Sequence, residues 1–317
     1  MATILVTGGT GLVGKALCKA LQERGYDIII LTRKIKPIAQ NPQLADRIRY
    51  AEWNVDAQTI DKDAIAKADY IVHLAGAGVA EKRWTKKRKK EIIDSRVKSG
   101  QLIVESLRSI PNKVKAVIAA SAIGWYGADL SLNHSAEGMG SGIRKFIESD
   151  FSSDDFLGQT CKKWEENTEP VNQMGKRLVK LRIGIVLSKE GGALREFIKP
   201  LKFGVAAILG NGKQMVSWIH IDDLVSMFIT SVENEHISGV YNAVAPAPVS
   251  NKELTLQLAK SRKKFYLPFY VPSFILKLIL GEMSVEILKS ATVSSAKIQQ
   301  AGFSFRFPDI KTAIQHS

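Results

Sequence analysis

Residues 7–14 read Thr7-Gly8-Gly9-Thr10-Gly11-Leu12-Val13-Gly14. A β-branched run at 4–7 precedes them, and Val13, Ala16, Leu17, Ala20 and Leu21 then form one helical stripe that stops at Gly25. A Thr-Gly-x-x-Gly-x-x-Gly pattern between strand and helix has a physical purpose. Gly8 and Gly11 permit a tight turn and let backbone approach a pyrophosphate, Gly14 lets the helix pack close to the strand, and the helix start offers unpaired N–H groups. Glycine spacing alone is a weak signal, and a purely structural turn is the alternative. The strand before it and the helix after it make it a dinucleotide loop.

Four further short apolar runs, at 28–32, 70–74, 114–121 and 178–183, alternate with helical patterns. Runs buried on both faces and separated by helices predict a parallel sheet covered on each side. The expected class is α/β: a Rossmann-type doubly wound parallel sheet with a smaller C-terminal α/β region on the substrate side. Residues 1–185 are the expected nucleotide-binding core, 186–264 substrate-side segments interleaved with it, and 265–317 a helical C-terminal module. Ser250 with Glu253 makes a capping box that opens a helix carrying Leu254 and Leu258. The last stretch is apolar, basic and punctuated by Pro268, Pro272 and Pro308.

The chain has 317 residues, 45% hydrophobic and 24% charged, which excludes a disordered or low-complexity protein. At this length roughly 75% of the unfolded surface is buried on folding, so a core needs no disulfide or structural metal. Two cysteines, Cys18 and Cys161, are too few for a disulfide framework or a zinc site, and no metal is expected. The 45 Lys and Arg exceed the 31 Asp and Glu by 14, which favours an anionic partner: nucleic acid, a phospholipid surface or a phosphorylated small molecule. The N-terminus lacks the parts of a secretory signal, and no apolar run reaches the ~18 residues of a spanning helix. A reducing, cytoplasmic setting and no membrane partner are therefore expected.

The second run ends Leu31-Thr32-Arg33-Lys34. NAD-binding folds place a carboxylate here to accept from the ribose 2′-hydroxyl, whereas a guanidinium matches a 2′-phosphate, with Thr32 able to donate a hydrogen bond. The expected cofactor is NADP(H); a solvated basic loop is the alternative. Trp53-Asn54, ending the third strand, either brings an amide near the adenine or packs its indole on the sheet. Gly76 and Gly78 after the fourth strand allow backbone to approach a ligand at the carboxyl edge.

Further along stand His73-Leu74-Ala75-Gly76-Ala77, Arg83-Trp84-Thr85, Ser95-Arg96 and Ser121-Ala122-Ile123-Gly124-Trp125-Tyr126-Gly127. Residues 182–187, Gly191-Gly192-Ala193, Ser217-Trp218-Ile219-His220-Ile221-Asp222-Asp223 and Tyr241-Asn242 through Ala245-Pro246 follow. Together with the glycine loop, these resemble the extended short-chain dehydrogenase/reductase superfamily, and more closely its epimerase-family branch of NADP-binding proteins. Residues 267–314, with Gly281-Glu282-Met283 and Gly302-Phe303-Ser304-Phe305, resemble that branch's C-terminal module. The resemblance implies a cofactor groove with Gly8, Thr10, Gly11, Leu12 and Val13 as its phosphate loop and Thr32 and Arg33 at the 2′-phosphate. It also implies Leu74, Ala75 and Gly76 beneath the dinucleotide, Glu91 and Arg96 on the next helix, and Arg182 to Val186 near the nicotinamide. A salt bridge on the helix surface is the plainer alternative for Glu91 and Arg96.

Superfamily catalysis uses a Tyr that exchanges the substrate's hydroxyl proton, a Lys four residues later that lowers its pKa, and a Ser or Thr that holds the substrate oxygen. This chain departs from that set. The Ser/Thr position falls on Ala122, and Ser121, one step earlier on a strand, points to the other face. Residues 155–165 contain Phe156, Cys161, Lys162 and Lys163 but no Tyr. Tyr126 is then the candidate proton donor, its phenol, ordinarily near ~10, needing a cation such as Arg182, Arg96 or Lys162; packing is the alternative. His134 with Glu137 is a further acid–base pair or a loop cap. Val216 stands where sugar-nucleotide epimerases grip the substrate diphosphate with an Arg, leaving Lys199 or Lys213 to substitute, and Asp222 and Asp223 read as helix caps.

Residues 82–90 hold seven cations around Trp84. Such a run steers anions or simply solvates a helix face; no base-stacking aromatics or reading helix accompany it, so nucleic acid is not an expected partner. Two functions remain. One is an NADP(H)-dependent oxidoreductase or epimerase-like enzyme acting on a hydroxyl- or carbonyl-bearing small molecule. The other, favoured by the missing Tyr, Lys and Ser, is a non-catalytic NADP(H)-binding redox sensor or regulator that passes its state to a protein partner.

Overall fold

Each of the five apolar runs forms a strand of one sheet in the computed structural model, which describes residues 2–34, 47–129, 144–262 and 265–316. In chain order the strands are β1 (Thr3–Thr7), β2 (Asp27–Thr32), β3 (Ile48–Asn54), the short β4 (Thr59–Ile60), β5 (Tyr70–His73), β6 (Ala116–Ala122) and β7 (Arg177–Ile183). An eighth strand, Gly239–Ala243, comes from much later and lies beside β7, so the sheet does not end with the first 185 residues. From that edge the order is Gly239–Ala243, β7, β6, β5, β1, β2, β3, β4. Neighbours are parallel except β3 with β4. This is a Rossmann-type doubly wound sheet. Because β2 and β5 lie on opposite sides of β1, the winding reverses between β1 and β5, and a crevice opens there at the carboxyl ends.

Side chains alternate between the faces of a strand. Ile4, Val6, Ile28, Ile30 and Val72 join Leu17 and Leu21 of helix α1 (Leu12–Glu23) and Leu224 and Phe228 of the helix Ile221–Glu233 in one core. Leu5, Ile29, Leu31 and Ile71 join Leu102, Ile103 and Leu107 of the helix Lys86–Ser109 in the other. Each such burial stabilises by roughly 1.5–3 kcal/mol, so helices packed on both faces hold the sheet without cross-links. Helix α1 ends before Gly25, whose φ of +83° suits a residue without Cβ. Ser250 Oγ accepts from the Glu253 N–H at 3.1 Å and opens the helix Asn251–Ser261, with Leu254 and Leu258 buried, as the capping box implied.

Three expectations need correction or refinement. The stretch from 265 opens on a strand: Leu267–Val271 pairs parallel with Val205–Leu209, because Leu, Phe, Tyr and Val favour extension and Pro268 lacks a helical N–H. The helix Ile221–Glu233 is capped by His220, whose Nδ1 accepts from the Asp222 N–H at 3.2 Å. Asp222 and Asp223 lie inside its first turn, past the capping position, and Asp223 instead accepts from the N–H groups of Arg306 (2.8 Å) and Phe307 (3.0 Å). Trp53 is buried against the sheet, while Asn54 Oδ1 accepts from the N–H groups of Asp56 and Ala57 and turns the chain toward β4. Among the described residues no helix is long and apolar enough to cross a membrane.

Candidate functional site

Two loops meet at the crevice. After β1, Gly8 adopts φ +69°, and a Cβ on it would lie 3.0 Å from the Leu74 carbonyl carbon, so the first loop already touches the second. A Cβ on Gly14 would lie 2.2 Å from the Gly8 carbonyl oxygen; only glycine lets α1 start this close to β1. The Gly11 N–H donates to Gly8 O at 3.0 Å and closes the turn. Thr10 and Gly11 are exposed at its tip, Leu12 and Val13 are half-buried, no side chain among the described residues caps α1, and its first turn holds no carboxylate. Among the described residues, then, no side chain competes for the first-turn N–H groups, an arrangement suited to holding an anion.

The second loop, residues 74–79, is pinned along its backbone. Thr7 Oγ1 accepts from the N–H groups of Leu74 and Ala75, each at 3.1 Å. Ser95 Oγ accepts from the Ala77 N–H at 2.9 Å, Arg96 donates to Ala77 O at 3.0 Å, Arg88 to Gly78 O, and Trp84 Nε1 to Val79 O at 2.9 Å. Thr7 is itself fixed from behind. With two N–H groups already accepted, its hydroxyl donates to His73 Nδ1 at 2.8 Å, which puts the ring proton on Nε2, facing Ser99 Oγ at 3.3 Å. The Ser99 hydroxyl in turn donates to Ser95 O at 2.7 Å. Burial pulls His73 down to about 4, so the ring is neutral at physiological pH.

Leu74, Ala75 and Gly76 thus sit on a rigid floor. Arg96 lies under it: a Cβ on Gly76 would be 3.1 Å from Arg96 Cζ, and the guanidinium rests 4.7 Å over the Trp164 ring. Arg96 is buried and bonds only backbone carbonyls, Ala77 O and Ile92 O, with no carboxylate among the described residues; burial lowers its pKa, yet a guanidinium stays charged. Glu91 forms the surface ion pair, exposed and 2.8 Å from Arg88. At the end of β2, Thr32 Oγ1 donates to Lys34 O at 3.0 Å, and Arg33 is exposed with no hydrogen bond or ion pair to a described residue. Val186 lies in the strand Ile185–Ser188, and a Cβ on Gly192 would be 3.1 Å from Leu12 and 3.6 Å from Val186 O, which brings Val186 to the phosphate loop.

At the end of β6 the departures from the superfamily pattern take physical form. β6 and β7 run in unbroken register with Ser121 opposite Arg182, so no bulge turns Ser121 outward; its hydroxyl donates to buried Glu165 at 2.7 Å. Arg182 grips Glu165 through Nε (2.8 Å) and Nη2 (3.0 Å), and Nη1 donates to Tyr126 Oη (2.9 Å) and Glu148 O (3.1 Å). Its fork is taken up by the protein itself. Tyr126 is 3% exposed, stacks on Phe146 and donates to Asn242 Oδ1 at 2.6 Å. Burial pushes its phenol up to about 12 despite Arg182 alongside. The helix Phe156–Thr168 presents Leu157 and Cys161 to the strand end: a Cβ on Gly124 would lie 3.1 Å from Leu157 and 3.7 Å from Cys161 Sγ. Phe156 turns instead to Trp84, ring centroids 4.8 Å apart, and burial pushes the Cys161 thiol up to about 12.

His134 and Glu137 lie outside the described residues. Among the described residues no group of three His, Cys, Asp or Glu is arranged to hold a metal ion. Sequence reasoning passed over Thr7, His73, Ser99 and Asn242. For the first two a signal existed, since Thr7 and His73 are the polar residues that directly follow the apolar runs at 4–6 and 71–72.

Residues 4–141 match the NAD dependent epimerase/dehydratase family, and residues 271–317 match a domain of unknown function, DUF1731. An epimerase family protein of Staphylococcus aureus is 34% identical over 315 residues, 99% of this chain and 98% of its own. One from Staphylococcus saprophyticus is 33% identical over 315 residues, 99% of each chain. The structure of human epimerase family protein SDR39U1 (isoform 2) with NADPH matches with a TM-score of 0.83 and 26% identity, over 99% of this chain and 98% of that one. UDP-glucuronic acid 4-epimerase of Bacillus cereus, in complex with UDP-glucuronic acid and NAD, shares the fold at a TM-score of 0.78 and 19% identity, over 99% and 96%. With likeness of this extent along its whole length, the chain belongs to the epimerase family and ends in a DUF1731 domain.

Proposed function

We propose that this protein binds NADP(H) in the crevice between β1 and β5 and serves an oxidoreductase or epimerase-type reaction on a hydroxyl- or carbonyl-bearing small molecule. One observation carries the reading: a glycine loop with no room for Cβ atoms faces a second loop whose backbone is pinned by Thr7, Ser95, Arg96, Arg88 and Trp84. In this reading the pyrophosphate lies on Gly8, Thr10, Gly11, Leu12 and Val13 at the uncapped start of α1, and Leu74, Ala75 and Gly76 run beneath the dinucleotide. Arg33, exposed and unpaired among the described residues, takes the 2′-phosphate with Thr32 beside it. The NADPH of SDR39U1 supports that choice; the NAD of the Bacillus cereus epimerase is its competitor. Arg96 adds a buried positive charge below Gly76, and Val186 borders the phosphate loop.

Bound NADP(H) supplies or accepts a hydride. The chain's part is to hold, orient and shield the reacting groups. Tyr126 is a positioning residue in this account: its proton is committed to Asn242 and its phenol stays protonated far above neutrality. The accompanying proton then moves through the substrate or solvent. Leu157 and Cys161 at the strand end favour a second reading, a non-catalytic NADP(H)-dependent sensor acting on a protein partner. A reducing, cytoplasmic setting suits the two buried free thiols in either case.

Thermal unfolding with NADPH, NADP⁺ and NADH tests the binding. A ligand at about 100 times its Kd stabilises by ~2.7 kcal/mol, and the phosphorylated forms are expected to reach this at far lower concentration than NADH. Arg33→Ser should narrow that gap. Equal affinity for NADH and NADPH removes the role of Arg33, and no shift with any of the three removes the cofactor. NADPH oxidation against a panel of carbonyl compounds then separates the readings: turnover that survives Tyr126→Phe fits the enzyme described here, and turnover abolished in a folded Tyr126→Phe makes that phenol the acid after all.

A further inference from the structure

A stretch of surface that follows the paired strands Val205–Leu209 and Leu267–Val271 into the next helix has the composition of an interior. Phe203 (85% exposed), Phe265 (81%), Phe274 (70%) and Leu278 (75%), with Phe269 and Ile279, stand in solvent on adjoining elements. The Leu267 N–H donates to Gly204 O at 2.8 Å where Leu267–Val271 meets Val205–Leu209, and a Cβ on Gly204 would lie 3.6 Å from Phe265 O, so the chain next to Phe203 runs against the chain at Phe265. The helix Ser273–Leu280 follows directly, with Phe274 and Leu278 four residues apart on one side and Leu276 buried on the other.

Cations flank this face at both ends. A Cβ on Gly281, the residue after the helix, would lie 2.6 Å from Arg83 Nε, and Lys89 pairs with Glu282 at 2.7 Å, so the basic run 82–90 abuts the helix. Within that run Lys82, Arg83, Lys86 and Lys87 are exposed and form no salt bridge with a described residue. Lys202 and Arg262, also exposed and without a salt bridge to a described residue, precede Phe203 and Phe265 by one and three positions, and Lys277 lies on the helix itself. Between Glu253 and Glu282 the sequence contains no carboxylate side chain.

We propose that this face docks on an anionic lipid bilayer, its aromatic and aliphatic side chains entering the headgroup boundary while the flanking cations meet lipid phosphates. Charge argues against a second copy as occupant. Pairing two such faces would bring like-charged rims together on chains that each carry a formal +14. Strand addition is blunted as well, because the positions alternating with Leu267 along the free edge include Pro268, which has no N–H to give. A bilayer asks for no hydrogen bonds and brings the opposite charge. The lack of a spanning helix among the described residues bears on crossing a membrane and leaves surface docking untouched.

Cosedimentation of the full chain with large vesicles, in about 0.1 M salt, tests the assignment. Vesicles of half phosphatidylglycerol and half phosphatidylcholine should bring the protein down, and pure phosphatidylcholine should leave it in solution. Lys277→Ser and Lys202→Ser should each weaken partition about fivefold, the ratio that corresponds to ~1 kcal/mol per surface cation. The double variant Phe274→Ser/Leu278→Ser should lose vesicle binding at unchanged melting temperature. Failure to bind anionic vesicles, or equal binding to both compositions, overturns the proposal. A lipid-free dimer in gel filtration that this double variant dissolves gives the face to a second copy and overturns it equally.

Discussion

Replacing His73 probes the buried polar chain that underlies the crevice. The ring is fully buried, and its proton affinity falls from the ordinary 6.5 to about 4 because burial disfavours the charged form. Between those values the unfolded chain binds a proton that the folded one refuses, so stability rises with pH across the window. The contribution is complete above pH 6.5 and is lost as the pH falls toward 4. A gap of about 2.5 units at 1.36 kcal/mol each amounts to about 3 kcal/mol. His73→Asn keeps one acceptor and one donor but cannot titrate. Urea unfolding of both proteins from about pH 7 down to about pH 4 should therefore show their stability difference shift by about 3 kcal/mol in the variant's favour. The site should feel the same event: a protonated Nδ1 cannot accept from Thr7, which loosens the anchor on Leu74 and Ala75, so affinity for the proposed cofactor should fall with acid in the wild type and less so in His73→Asn. Parallel stability curves for the two proteins would refute the burial argument.

Two further outcomes follow from the buried groups. Arg182→Met leaves the Glu165 carboxylate with Ser121 at 2.7 Å and Lys180 at 3.8 Å, and should cost ~3–5 kcal/mol in urea unfolding; adding Glu165→Gln should recover much of it, whereas a loss below 1 kcal/mol would mean that the ion pair carries little. Cys18 and Cys161 are buried, and burial pushes both thiols up to about 12, so neither should react with a disulfide reagent at neutral pH until guanidinium exposes both; rapid labelling of the native protein would reveal local opening at α1 or at the helix Phe156–Thr168.

The parts of the fold that depend on neighbours in sequence were legible beforehand. The strand ends, the α1 stripe and the Ser250 cap each declare themselves within a few residues. Pairings across long separations were not. Tyr126 finds Asn242 116 residues away and Thr7 finds His73 66 away, and no local periodicity encodes either partner. The helix Phe156–Thr168 gives the sharpest case. The sequence placed a Tyr-to-Lys helix there without its Tyr, but which residues line the strand end depends on the helix's rotation about its axis, and that is set by Gly124 meeting Leu157 and Cys161. His220 was read past for a similar reason: a histidine acts as a helix cap only when its ring is held beside the first turn, here by Phe307 at 4.1 Å.

The eighth strand bears on how the chain is made. β7 has β6 on one side, but its other edge stays open until Gly239–Ala243 arrives, and Arg177 at its start bonds Ser231 O and Ile237 O, which arrive equally late. Sixty residues separate the end of β7 at Ile183 from Ala243, roughly 3–12 s of translation at 5–20 residues per second. During that interval the nascent polypeptide leaves the ribosome with an unsealed edge, so the chain's own synthesis includes a period in which a chaperone has something to hold.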